Sequence, residues 1–260
     1  MYWQKTHYTY DIYLFVPFFL MITWILTVEN VEYTSSKNVV QIRFRPEDPM
    51  QFTAWQFVFL QRLWFTYPDG KVMKNAYSIG SSYEEYEQKG VFSTIVKKSS
   101  ETGMSAYLTQ EIQSGDTMQC TWPLWHFVDP KTSNKYLFIS IGSGVTPIVW
   151  LYKQLAASNS TAQIVNIYGE RYAADILPSL QELFVNNNNF YNLLYLSQDE
   201  VLPAHRKKWH IQDGLLDAFE ILQDNNYIAF LCGKPAMVDE VTEILINKWL
   251  TKEQIVSEKY

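Results

Sequence analysis

Within four positions, Tyr77-Ser78-Ile79-Gly80 bring together an aromatic ring, a hydroxyl and a flexible glycine at the end of an apolar segment. A flat face for stacking beside a hydrogen-bonding group suits a planar ring ligand. The same residues also describe a half-buried strand ending in a turn. Further along, Gly142-Ser143-Gly144-Val145-Thr146-Pro147 follow an apolar run. A glycine loop between a strand and a helix offers unpaired backbone N–H groups and a positive dipole end to a phosphate. Arg171 can grip a phosphate in a bidentate contact, or stand as a solvated charge. Cys232-Gly233 precede Lys234-Pro235-Ala236-Met237, and Cys232 alone reads as a small buried hydrophobe. Gly103, Met104 and Ser105 open a short helix whose first N–H groups suit a diphosphate.

Two kinds of element position these residues. Alternating, β-branched strands are expected at 25–33 and 39–44, with further strands at 56–60 and 91–97 and a helix over 104–112. Many short strands separated by turns predict an antiparallel β-barrel over 21–128. Residues 129–134, Asp-Pro-Lys-Thr-Ser-Asn, form a linker. From 135 to 260 the rhythm changes to buried strands alternating with helices, which predicts a doubly wound parallel sheet. Residues 1–20 read as a tail or an over-extended start. The apolar run Ile12 to Leu26, broken by Pro17 and Thr23, is too short for a membrane span of about 20 residues.

Composition narrows the choices. The 260 residues carry a net charge of −6, which gives no electrostatic reason to expect a nucleic-acid partner. Two cysteines, Cys120 and Cys232, cannot hold a four-thiolate cluster, so no metal is expected. Two free thiols suit a reducing, cytoplasmic compartment, although one disulfide also fits. Nine tryptophans stand against only ten glycines, well below the usual glycine share of roughly 7%.

Taken in order, these segments resemble the ferredoxin-NADP reductase family, and the resemblance covers nearly everything from Met21 onward. Tyr77-Ser78 match the family's Arg-x-Tyr-Ser-x-x-Ser signature, Gly142 to Pro147 its Gly-x-Gly-x-x-Pro loop, and Cys232 to Met237 its Cys-Gly-x-Pro-x-Met element. Glu258-Lys259-Tyr260 are similar to its acidic-x-tyrosine ending. The resemblance implies a Greek-key FAD-binding barrel followed by an NAD(P)-binding domain. Hydride would pass between NADPH or NADH and FAD, and single electrons between FAD and a ferredoxin- or flavodoxin-type carrier. Ser78, Cys232, Glu258 and Tyr260 would be catalytic. Cofactors would be held by Tyr77, Ser78, Ile79, Gly103, Met104, Ser105, Gly142, Gly144, Thr146, Arg171, Ser197, Gly233 and Tyr260. An electron-transfer subunit of a larger dehydrogenase and a vestigial, non-enzymatic flavin-fold module stand as alternatives.

The chain departs from the pattern at several points. Asn75 replaces the arginine that contacts the flavin diphosphate, leaving Lys74 or Lys71 as substitutes. Gln198 follows Ser197 where NADP-dependent members often carry arginine, so Arg206, Lys207 and Lys208 are alternative contacts for a 2'-phosphate. Trp55, Trp122, Trp125, Trp209 and Trp249 stand where the family has glycine or a glycine cap is expected. Together with the composition, this motivates reading UGA as a glycine codon in the source, against a divergent chain with genuine tryptophans.

Overall fold

A computed structural model describes residues 23–53, 55–66, 70–124, 133–158, 161–185, 189–198, 207–208 and 211–260. In the first half the strands are β1 (Thr23–Tyr33), β2 (Val39–Pro46), β3 (Phe57–Thr66), β4 (Val72–Ser78), β5 (Phe92–Lys97) and β6 (Thr117–Thr121), with helices α1 (Tyr83–Lys89) and α2 (Met104–Gln110). They form one antiparallel sheet in the order β4-β3-β6-β1-β2-β5. The sheet curls so that its two end strands meet near Ser78. Gly80 N–H donates to Ser93 O at 2.7 Å and the Thr94 hydroxyl to Ser78 O at 2.9 Å. This contact stands where the sequence predicts a closed barrel. The strands bury Leu26, Ile42, Phe44, Leu60 and Phe92.

Local chemistry sets the shorter elements. The Ser82 side chain accepts the Glu85 N–H at 3.1 Å and caps α1, Glu84 and Glu85 stand in its first turn, and Gly90 at φ 66° ends it.

The second half contains β7 (Lys135–Ile141), α3 (Val145–Ser158), β8 (Gln163–Glu170), α4 (Pro178–Leu183), β9 (Phe190–Leu196), β10 (Lys207–Lys208), α5 (Ile211–Leu222), β11 (Ile228–Gly233), α6 (Pro235–Lys248) and β12 (Ile255–Lys259). All six strands pair in parallel in the order β10-β9-β8-β7-β11-β12. Apolar side chains fill both faces of β7 and β11, as a covered parallel sheet requires. The order turns back at β7, whose neighbours are β8 and β11, and ligands bind open α/β sheets at such a reversal beyond the strands' carboxyl ends.

The apolar run and the tryptophans of the sequence can now be placed. Residues 23–26 of the apolar run belong to β1, a strand, and the remainder lies outside the described residues. Among the described residues no helix is long and apolar enough to cross a membrane. Trp249 has φ −147°, so that helix end does not demand a glycine. Trp55 does sit at a left-handed φ of 63°. Trp122 is 40% exposed and packs on Trp24 at 4.7 Å, while Trp125 and Trp209 lie outside the described residues.

Candidate functional site

A cavity of about 720 Å³ lies between the two sheets. One wall is the end of β4, where Asn75, Ala76, Tyr77 and Ser78 emerge, together with Ile95 to Ser99 from β5 and the residues after it. The opposite wall is the reversal point of the parallel sheet, with Ile141 to Gly144 after β7 and Cys232 at the end of β11. Glu258 and Tyr260 close it from β12. Parallel register sets Ser140, Cys232 and Glu258 side by side on three adjacent strands. Residues far apart in sequence thus converge because each ends a strand at the same edge.

The glycine loop is tightly fitted. A Cβ on Gly144 would overlap the backbone carbonyl of Cys232, 2.8 Å from its carbon. Only glycine lets the loop lie this close to β11. Tyr260 reaches over the loop from the chain end: its hydroxyl donates to Ile141 O at 2.6 Å and accepts from Gly144 N–H at 2.9 Å. Burial of that hydroxyl pushes its pKa up to about 12, so it stays protonated near neutrality. Burial, reinforced by the Glu258 carboxylate, also raises the Cys232 thiol well above its ordinary range, making it a neutral wall. Thr146 hydrogen-bonds Ser143 O at 2.7 Å, which ties the loop to the first turn of α3.

Of the predicted site residues, Tyr77, Ser78, Ser105, Gly142, Gly144, Thr146, Arg171, Ser197, Cys232, Glu258 and Tyr260 line this cavity. Four do not. Ile79 turns into the core at 1% exposure while its N–H goes to Gln56 O, because strand alternation sends it away from the face of Ser78. Met104 is also a core side chain, 2% exposed, and Gly103 serves as the helix N-cap at φ 90°. Gly233 packs against Ile141 and Met237, and its carbonyl accepts the Tyr260 N–H at 3.2 Å. Neither substitute for the missing arginine lines the cavity, and the Lys74 ammonium stands 5.5 Å from the Phe59 ring. Lys97 and Lys98 line it instead. Arg206 lies outside the described residues.

Sequence reasoning missed a charged cluster at this edge. The Lys97 ammonium pairs with Glu170 and, at 3.1 Å, with Asp175. Both carboxylates are buried, at 2% and 3% side-chain exposure. Ser36 donates its hydroxyl to Asp175 at 2.6 Å, and Tyr168 donates to Glu170 at 3.3 Å. The only linear signal was the Lys97-Lys98 pair ending a strand, which carries no hint of partners 73 and 78 residues away.

Comparison with known proteins agrees with this geometry. The family described as oxidoreductase NAD-binding domain matches residues 138–243. The chain is 28% identical over 229 residues to one of the subunits of the 1,2-phenylacetyl-CoA epoxidase of Escherichia coli, covering 85% of this chain and 63% of that protein. It is 22% identical to the toluate 1,2-dioxygenase electron transfer component of Pseudomonas putida, covering 90% and 66%. The chain thus spans less than two thirds of each relative's length. Among solved structures, a ferredoxin NADP+ reductase from Neisseria gonorrhoeae with bound FAD and NADP superposes with a TM-score of 0.74 at 17% identity, covering 91% of this chain and 98% of that one. An Amycolatopsis cytochrome P450 reductase gives 0.76 at 20% identity, covering 92% and 70%. The curled antiparallel sheet followed by the parallel sheet with its glycine loop is thus the two-domain fold of the ferredoxin-NADP reductases, and its second half matches the oxidoreductase NAD-binding domain over residues 138–243.

Proposed function

We propose that the protein is an FAD-dependent reductase that takes hydride from NADPH or NADH and passes electrons singly to a separate carrier of ferredoxin or flavodoxin type. The observation that carries this reading is the single cavity of about 720 Å³ onto which Tyr77, Ser78, the Gly142 to Gly144 loop, Cys232, Glu258 and Tyr260 all open. Its donor set fits the flavin. Tyr77 and Tyr260 offer aromatic faces, and Ser78 offers a hydroxyl at the middle of the wall. Ser99, Ser105 and Lys98 supply polar and cationic groups toward α2, where Ser105 and Ser99 hydrogen-bond each other at 2.8 Å.

Bound FAD would supply the chemistry, accepting hydride as a pair and releasing electrons one at a time. The chain's own residues orient and shield. Ser78 would offer its hydroxyl to the flavin ring nitrogen. The Cys232 thiol, kept neutral by burial, would add no charge of its own to the wall that the nicotinamide approaches. Tyr260, whose protonated hydroxyl accepts the Gly144 N–H, would have to give up that bond to admit the nicotinamide. Arg171 after β8 and Ser197 after β9 line the same cavity and would face the rest of the dinucleotide.

The relatives named as electron-transfer components of oxygenases, and their greater length, support a role as one component of a larger electron-transfer system. Titration of the purified apoprotein with FAD tests the first step. A one-to-one yellow complex that reduces ferricyanide with NADPH or NADH is expected; a protein that binds no flavin would overturn the reading in favour of a flavin-fold module without catalysis.

A further inference from the structure

Resting on that reading, the geometry points to Glu170 as a residue that sets dinucleotide affinity by opposing phosphate at the glycine loop. Two buried carboxylates, Glu170 and Asp175, share one ammonium, Lys97, so the three groups sum to one negative charge. They adjoin the loop directly: a Cβ on Gly142 would lie 3.6 Å from Lys97 Cδ and 3.9 Å from Glu170 Oε2. Asp175 is further held by Ser36 at 2.6 Å and Asn38 at 3.5 Å, and Glu170 by Tyr168 and by the Arg171 N–H at 2.8 Å. The carboxylates are thus fixed, and Lys97 is the member with the long flexible stem. A diphosphate settling on Gly142 to Gly144 would meet this net anion and compete with Glu170 for Lys97.

Removing one charge from the cluster changes the sign of that encounter. At several ångströms through a partly screened protein medium, one unit charge alters an anion's affinity by about tenfold or more. Glu170→Gln should therefore tighten NADP+ and NAD+ alike by about tenfold, and Lys97→Gln should weaken both by about tenfold. Equilibrium titration of the flavin-loaded protein, read by flavin difference spectra, measures both. A structural role for Glu170 predicts the opposite, because a loosened site binds more weakly in either variant. Unchanged or weakened binding by Glu170→Gln overturns this inference while the function stands. Wild-type protein that holds flavin and binds neither dinucleotide overturns both.

A second inference comes from the backbone at Trp55. Three non-glycine residues among those described have positive φ: Lys37, Trp55 and Gln223. Lys37 and Gln223 are exposed, whereas Trp55 is 2% exposed and stacks on Phe230 at 5.7 Å. Its indole N–H is buried without a hydrogen-bond partner among the described residues, as is that of Trp150. A bulky residue in the left-handed region and an unmet buried donor are separate costs, and both fall on one side chain. Glycine removes both. With nine tryptophans set against ten glycines, we infer that the source makes glycine at position 55 from a UGA codon.

The codon and the mass of the corresponding peptide from source cells decide this. UGA at codon 55 with a glycine-containing peptide is expected. UGG, or UGA with a tryptophan-containing peptide, overturns it. Recombinant Trp55→Gly gives an independent reading: a melting temperature equal to or above that of the tryptophan form is expected, and a clear fall would show that the indole belongs to the core.

Discussion

On the proposed reading, Ser78 is the side chain with the most sharply defined task. It ends β4, stands half-buried on the cavity wall, and its carbonyl is held by the Thr94 hydroxyl at 2.9 Å. The side chain is thereby presented on a fixed backbone. Ser78→Ala should slow flavin reduction by about 10- to 100-fold, as removal of one oriented donor does. FAD affinity should stay within about threefold, since one neutral hydrogen bond contributes only about 1 kcal/mol net. Anaerobic single-turnover rates set against flavin titration separate the two effects. Tyr77, Ser78 and the glycine loop were legible in the sequence because each is a local pattern with a chemical meaning. Lys97, Glu170 and Asp175 were not, because their significance is a meeting across two sheets. The side chains of Ile79 and Met104 turn into the core for a related reason: a motif names consecutive residues, whereas a strand or helix turns only some of them toward the cavity.

The loop after β7 shows how an element's shape becomes a functional constraint. Its backbone lies against the Cys232 carbonyl so closely that no side chain fits at Gly144. Gly144→Ala should destabilise the fold by about 1–3 kcal/mol through overpacking, measurable by urea unfolding; an unchanged midpoint would contradict the close approach. Elements with strong periodicity, such as β7, β8 and α6, were legible because burial on both faces or one face leaves a plain record. Strand β12 was not, since it is an edge strand with alternately half-buried and exposed residues, Ile255 to Lys259, that reads as a polar tail. Its parallel pairing with β11 brings Glu258 and Tyr260 to the site.

The two sheets are joined by more than their linker. One continuous apolar cluster contains Leu60 and Phe92 from the antiparallel sheet and Phe138 and Phe230 from the parallel one. At the periphery, Lys153 of α3 bonds Glu85 of α1 at 2.7 Å. Burial raises the Glu85 carboxyl pKa, but the hydrogen bonds and charges of Lys153 and Lys89 outweigh it and leave the group below its ordinary value of 4.5. A carboxylate with a lowered folded pKa adds stability above its unfolded pKa and loses it as pH falls through the folded one. Lys153→Met should therefore cost about 1 kcal/mol at pH 7, and the difference should shrink as pH falls through the folded Glu85 pKa. Melting temperatures of the two proteins across pH test this, and a difference that does not shrink at acid pH would assign the loss to packing. The measurement that bears most directly on the whole account is anaerobic mixing of the FAD-loaded protein with NADPH and, separately, NADH. At least one should bleach the oxidised flavin within a single turnover; intact oxidised flavin with both nucleotides would contradict the assignment of this cleft to hydride transfer.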